Sequence, residues 1–449
     1  MKKFDPGSFR DPAGRIFQKN NDIFRELSEI GSNRFNYIKS QNIYKNLIKE
    51  EKLILTEEVS SEEDGIDLIK HKKIPFWTYP YEWCFDQLKD AALFHIDLHL
   101  QLLENNVNLI DASAFNVQFL GSKPVFIDIL SLEKYKNGEM WKAQSQFGRE
   151  FLNPLVYSFY SGLPFNNIYK GNLNGVSNEE VLKVISFFRK FNLTIFLNIF
   201  LPNYLEKKHS FEKKIKKRNL DIKSFKWMLN SLRKFINSFK KKSNSFWENY
   251  EDIRTYNQDQ INLKKKLVFD FIKRNQPKKL FDFGCNNGEF SILSHDAGAK
   301  YVISVDQDEK CLNNLYNISK VKKLNILPIV GNFMNPSSNL GWNQNERKGF
   351  LERGNFDASI NLAVIHHMCL ANNLLLNEAI NSITNSSNIG LIEFVDANDT
   401  TSKIILQNKN FFPEDYNEKN FISFLEKNAK IVNTFKLTDT RKIFEFSKL

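Results

Sequence analysis

Leu280-Phe-Asp-Phe-Gly284-Cys-Asn-Asn-Gly288-Glu-Phe290 decides the fold of this chain. An apolar strand, Leu280 to Phe283, runs into a turn at Gly284. A second glycine, Gly288, marks a point where backbone must approach a ligand or a neighbouring strand, and a helix-like stretch follows from Glu289 to Ala297. Glycine suits such a turn because it tolerates positive φ and has no Cβ to block close approach. The next apolar strand, Tyr301 to Val305, ends in Asp306, eighteen residues past Gly288. That is close to the spacing of roughly 20 residues at which a carboxylate reaches a ribose diol. The stretch therefore reads as a nucleotide-binding βαβ turn.

A chain of 449 residues predicts two or three domains, and 42% hydrophobic residues with 41 Phe supply ample core. No run approaches the roughly 20 apolar residues that span a bilayer. Met1-Lys-Lys-Phe-Asp-Pro-Gly7 has no apolar region of the secretory kind. Four dispersed cysteines, Cys84, Cys285, Cys311 and Cys369, form no CxxC pair. They point away from a zinc site or disulfide framework and towards a reducing cytoplasm.

The net charge of +11 is concentrated. Between Lys207 and Lys242 lie fourteen Lys/Arg against Glu212 and Asp221, so the remainder is near neutral. Within that connector Ile222, Phe225, Leu229, Leu232, Ile236 and Phe239 recur at helical spacing among lysines. Such a basic amphipathic helix either touches a membrane surface or, more simply, packs on a domain with its lysines solvated. It is one helix rather than a stripe interleaved with aromatics, so nucleic acid is not the expected partner.

From the N-terminus, strands are expected at Arg15–Phe17, Asp22–Arg25 and Leu53–Val59, with a helix through Phe35 to Leu47. The aromatic, proline-rich Ile74–Trp83 predicts irregular structure. A long helix follows from Phe85 to about Glu104, with Leu88, Ala92, His95, Leu98 and Leu102 on one face. Residues 140 to 205 read as helical and buried, including Val181 to Leu197. Between these helical regions, Asp111 and Asn116 stand five apart and Asp128 ends a strand twelve residues on. That constellation resembles the catalytic loop and metal-binding strand of protein kinases and aminoglycoside phosphotransferases. The resemblance would make Asp111 the residue that orients an accepting hydroxyl, and Asn116 and Asp128 the Mg²⁺ ligands. It departs from those families at Leu109-Ile110 and at Asp128-Ile-Leu130, and no Gly-rich phosphate loop precedes it.

Beyond Asn249 strands alternate with helices, the pattern of a parallel α/β sheet. Strands are expected at Lys279–Phe283, Tyr301–Val305, Leu324–Val330, Ala358–Leu362 and Gly390–Phe394, closed by a hairpin of Ile431–Leu437 and Lys442–Phe446. This half resembles the class I S-adenosylmethionine-dependent methyltransferases in Asp282-Phe-Gly284-Cys285-Asn286-Asn-Gly288, Asp306, Gly331-Asn332, Asn361-Leu-Ala363-Val-Ile-His366-His367 and the terminal hairpin. The resemblance implies S-adenosyl-L-methionine as cofactor. Asp282, Gly284, Cys285, Asn286 and Gly288 would form its turn, Asp306 would take the ribose hydroxyls, Asn332 the adenine, and Asn361 and Ala363 the methyl end. A nicotinamide dehydrogenase, the main rival for such a fold, would want a further glycine near Ala297, which is absent. For a hydroxyl acceptor, histidine is the apt base because its pKa is near neutrality. His366 and His367 follow the fourth strand, and Glu393 ends the fifth. Glu346, Arg347 and Arg353 either grip an anionic substrate or make structural ion pairs.

The order of these motifs is similar to that of a bacterial group of two-domain methyltransferases of nodulation and polysaccharide-cluster type. The expected architecture is a kinase-like α+β domain over residues 1–205, a basic helical connector over 206–248 and an α/β, Rossmann-like methyltransferase domain over 249–449. The expected function is O-methylation of a glycan or other small hydroxyl acceptor that the N-terminal domain positions. The alternatives are a bifunctional kinase–methyltransferase acting on a saccharide, or an RNA methyltransferase.

Overall fold

The computed structural model describes residues 2–60, 65–208, 219–240, 257–407, 409 and 413–449. It forms two units. Unit 1 comprises Met1–Lys242 with Asn339–Arg347, and unit 2 comprises Ser243–Ser338 with Lys348–Leu449. The expected start of the second domain near residue 249, and much of the basic connector, lie outside the described residues.

Unit 1 begins with an antiparallel sheet of β1 (Gly14–Lys19), β2 (Asp22–Leu27), β3 (Thr56–Val59) and β4 (Leu68–His71), in the order β1-β2-β4-β3. Asn20 and Asn21 join the first two strands at φ 50° and 69°, so the two-residue hairpin uses a residue type that tolerates the left-handed region. The single helix expected through Phe35–Leu47 is two, Glu29–Ser40 and Asn42–Lys49, because Gln41 takes an extended conformation between them. The hairpin-rich middle consists of β5 (Val107–Leu109), β6 (Val117–Leu120), β7 (Lys123–Phe126) and β8 (Leu132–Lys134).

The helix Phe85–Glu104 buries Leu88, Ala92, His95, Leu98 and Leu102, the stripe its spacing predicts. Against it lies the helix Ile222–Asn237, capped by the Asp221 side chain. Its apolar stripe, Phe225, Leu229, Leu232 and Ile236, is buried, with the Phe225 ring 5.2 Å from that of His99 and Arg233 Nε 2.5 Å from Asp97. The apolar stripe of the basic amphipathic helix therefore packs on protein.

Val181–Leu197 departs from the buried helix expected of it. Val181, Ile185 and Ile195 are buried, but Phe187, Phe188, Phe191 and Leu193 are exposed. The helix Asn178–Val184 stops, a 3₁₀ turn spans Phe187–Phe191, and Asn192 caps a new helical start through Thr194 and Ile195 N–H. With three residues per turn and no long stripe, so short a segment cannot turn every aromatic inward.

Unit 2 is a mixed seven-stranded sheet of β9 (Leu280–Phe283), β10 (Val302–Asp306), β11 (Ile326–Val330), β12 (Phe356–Asn361), β13 (Ser387–Val395), β14 (Ala429–Lys436) and β15 (Arg441–Lys448). Its order is β11-β10-β9-β12-β13-β15-β14. The first five run parallel, as helical crossovers require, and the terminal hairpin adds antiparallel to β13. Every residue of β9 is buried, the mark of a central parallel strand. The winding leaves β9 towards β10 on one side and resumes with β12 on the other. The carboxyl ends of β9 and β12 thus flank the point where open α/β sheets hold ligands. Among the described residues no helix is long and apolar enough to cross a membrane.

Burial in unit 1 lowers the pKa of His71 to about 4, of His95 to about 3 and of His99 to about 4. These imidazoles are neutral when folded and protonate near 6.5 when unfolded. Their contribution to stability is complete above that value and is lost as pH falls towards about 4. Urea unfolding of the wild type and of His95→Leu, at neutral pH and near pH 5, should show the wild type losing about 2 kcal/mol more than the variant. Equal losses would contradict a neutral buried His95.

Candidate functional site

The turn after β9 is shaped by three left-handed residues, Gly284 (φ 71°), Asn286 (φ 49°) and Gly288 (φ 80°). Gly284 and Cys285 N–H donate to Val305 O at 2.9 and 3.2 Å, which pins the turn to the end of β10. Each Asp306 oxygen accepts one backbone N–H at 2.9 Å, from Asn286 and from Asp308. A carboxylate has about four acceptor positions, so Asp306 keeps acceptor capacity for a further donor. These elements wall a cavity of about 340 Å³.

Asp282, Gly284, Cys285, Asn286, Asp306, Asn332 and Ala363 all line that cavity, as does His367. Gly288, Asn361, His366 and Glu393 do not appear on its wall. The two glycines of the motif serve different ends. A Cβ on Gly288 would fall 2.3 Å from Leu315 Cδ1 on the helix Glu309–Lys322, so Gly288 permits helix packing. A Cβ on Gly284 would fall 2.7 Å from Val364 Cγ2, where the turn lies against the loop after β12. Beneath the turn, Ser291 donates to Asp282 and Ser304 to Ser291. Burial, offset in part by Ser291, raises the Asp282 carboxyl to about 7.

Asn332 accepts from Met334 N–H at 2.8 Å, and Phe333 sets its ring 4.2 Å from that of Phe283. Asn361 is turned into the sheet, donating to Ser359 Oγ at 3.0 Å and Leu391 O at 3.3 Å. His366 is fully buried with neither ring nitrogen hydrogen-bonded, 4.2 Å ring to ring from His367. Burial, with His367 and Arg441 nearby, holds it well below the usual histidine range. Burial and Arg441 also lower His367. Glu393 is fully buried and paired with Lys264 Nζ at 2.6 Å and with Arg441 at 3.6 Å.

In unit 1, Asn116 Nδ2 donates to Asp111 at 3.1 Å and Ser113 N–H donates to the other Asp111 oxygen at 2.9 Å. Burial raises the Asp111 pKa, with Asp128 adding to the shift. Burial would raise Asp128 too, but Arg25, 2.6 Å away, and Ser131 hold it below the usual range. The structure therefore brings the three residues into one neighbourhood, with one Asp128 oxygen on Arg25 and the other on Ser131. Arg25 also grips Asp11. Glu346 pairs with Arg10 at 2.7 Å, and the Arg347 guanidinium lies 4.4 Å from the Phe115 ring centre. Both contacts are internal to unit 1.

No family model matches the chain. It is 33% identical over 443 residues to nodulation protein NoeA of Rhizobium meliloti (strain 1021), across 95% of this chain and 92% of that protein. The chain belongs to the NoeA family. Among solved structures, the bifunctional kinase-methyltransferase WbdD overlaps 48% of the chain and 45% of its own, at 14% identity and a TM-score of 0.31. The N-methyltransferase NodS of Bradyrhizobium japonicum WM9 overlaps 43% of the chain and 98% of its own, at 10% identity and a TM-score of 0.32.

Two residues of this NoeA-family site escape motif reading, Lys264 and Arg441, which line the cavity beside His367. Lys264 carries a signal nonetheless. In the helix Gln258–Asn275 it shares the buried face of Val268, Phe271 and Ile272, four, seven and eight residues on, where a lysine needs an anionic partner. Arg441 opens the last strand with Asp399 held bidentately, Nε and Nη2 each at 2.8 Å.

The division of labour between the glycines is testable by unfolding. Gly288→Ala should destabilise unit 2 by about 1–3 kcal/mol, from overpacking and positive φ. That cost should shrink in a Leu315→Ala background. An unchanged cost would show that Leu315 is not what Gly288 accommodates.

Proposed function

We propose that this protein is an S-adenosylmethionine-dependent methyltransferase acting on a hydroxyl of a glycan or other small acceptor. The observation that carries the reading is the Asp306 carboxylate. It is fixed by two backbone N–H groups on the wall of the cavity formed by the Gly284 turn, with acceptor capacity left for a ribose diol. The residues fit the group in other respects. The cavity is of ligand size, and Asn332 with its side-chain amide and Ala363, at φ 54°, both line it.

When bound, the cofactor supplies an activated methyl group with its own leaving group. The protein's share is alignment, exclusion of water and removal of one proton. Of the candidate bases, His367 is the one on the cavity wall, and its lowered pKa keeps the imidazole neutral, hence able to accept a proton, at neutral pH. His366 packs within the core with its ring against that of His367, and Glu393 balances Lys264 and Arg441. Unit 1 is read as an acceptor-binding module rather than a second enzyme, because both Asp128 oxygens are already engaged by Arg25 and Ser131.

Calorimetric titration with S-adenosylmethionine tests the site. Wild-type protein should bind, and Asp306→Asn should weaken binding by about ten- to a hundredfold, since charge-assisted hydrogen bonds are lost. Absence of binding by the wild type would refute the reading. His367→Asn should retain cofactor affinity and lose methyl transfer, by about a hundredfold or more. Full turnover in that variant would remove His367 as the base.

A further inference from the structure

We infer that the turn Phe187-Phe188-Arg189-Lys190-Phe191 and the adjoining Leu193 form a docking surface for an anionic lipid bilayer. Phe187, Phe188, Phe191 and Leu193 are 66, 83, 68 and 62% exposed, a cluster that ordinary surfaces do not carry. The rings do not fold back onto the core. Phe187 sits edge-on to Phe191 at 5.2 Å and to Phe188 at 6.2 Å, so they cover one another and little else. The patch is contiguous in sequence, built on a 3₁₀ turn whose ends are anchored by buried Ile185 and Ile195.

Charge selects the occupant. Arg189 and Lys190 sit inside the aromatic run, and the sequence from Val181 to Leu205 holds no acidic residue. Aromatic side chains interleaved with cations suit an interface where rings enter the acyl boundary and basic groups meet phosphate headgroups. A second copy of the chain suits it poorly. An isologous contact through so small a patch would gather Arg189 and Lys190 of both copies into one interface with no acidic residue of the run Val181–Leu205 to offset them. The basic helix that follows buries its stripe against Phe85–Glu104 and exposes a single large aromatic, Trp227, rather than a cluster. The inference stands apart from the methyl-transfer reading, which concerns unit 2.

Co-sedimentation of the full chain with vesicles decides it. The protein should bind phosphatidylcholine vesicles containing phosphatidylglycerol, bind pure phosphatidylcholine weakly, and release as salt is raised. The triple variant Phe187→Ser, Phe188→Ser, Phe191→Ser should keep its thermal midpoint, since the rings are exposed, and lose affinity for the anionic vesicles by about tenfold or more. Arg189→Glu with Lys190→Glu should lower both affinity and its salt dependence. No binding of the wild type to anionic vesicles would overturn the proposal, as would equal binding by the triple variant. A concentration-dependent dimer of the wild type that the triple variant abolishes would also overturn it, by making the patch a self-interface.

Discussion

Unit 2 depends on a chain of buried charges in which cations and anions alternate: Lys264, Glu393, Arg441 and Asp399. Their side chains are at most 7% exposed. Lys264 Nζ meets Glu393 at 2.6 Å, Arg441 stands 3.6 Å from the other Glu393 oxygen, and Asp399 takes Arg441 bidentately. The four side chains come from the helix before the first strand, from the fifth strand, from a cap and from the last strand. Removing Glu393 or Arg441 would take from a buried charge of opposite sign its partner in this chain, and such losses cost about 3–5 kcal/mol. Such a network adds less to net stability than apolar packing would. It fixes instead which helix and which strands close around the cavity, and sets two cations on its wall.

Much of this architecture was legible because its signals are local. Continuous apolar runs bounded by turns mark β9 to β13, and a 3,4-spaced stripe marks Phe85–Glu104 from end to end. The basic helix reads as packing on protein because so regular a stripe seldom faces water, and its Phe225, Leu229 and Ile236 lie in the core. What failed locally failed for a reason. Val181–Leu197 is apolar enough for a core helix, but Ser186 and Asn192 break the backbone into turns whose faces no longer align. Composition says how much apolar surface exists. Only continuity of the helix says where it points.

Residue roles at the site were less legible than residue membership. The glycine motif announced itself, but not that Gly284 serves the turn while Gly288 makes room for Leu315, a contact made across the fold. Likewise Asn361 and Glu393 stand at or near strand ends where ligands are expected, yet Asn361 gives its Nδ2 to Ser359 and Leu391 and Glu393 is paired with Lys264 and Arg441. Glu346 and Arg347 were equally ambiguous in sequence. Their partners, Arg10 and Phe115, lie more than two hundred residues away in unit 1, beyond any window of periodicity.

The charge network also bears on the chemistry of the cavity. Arg441 is among the groups that lower the pKa of His367, after burial itself, and it acts on His366 in the same sense. A cation beside an imidazole disfavours a second positive charge, so the network that holds the strands together also keeps His367 unprotonated. Arg441 is held in the buried network by its ion pairs with Glu393 and Asp399. The same arrangement forbids a simple exchange of roles between the two histidines. His366 lies wholly inside, with no group to take up a proton from either nitrogen, whereas His367 opens on the cavity. On the proposed reading, the adjacent pair is one base and one structural support, and burial rather than sequence position separates them.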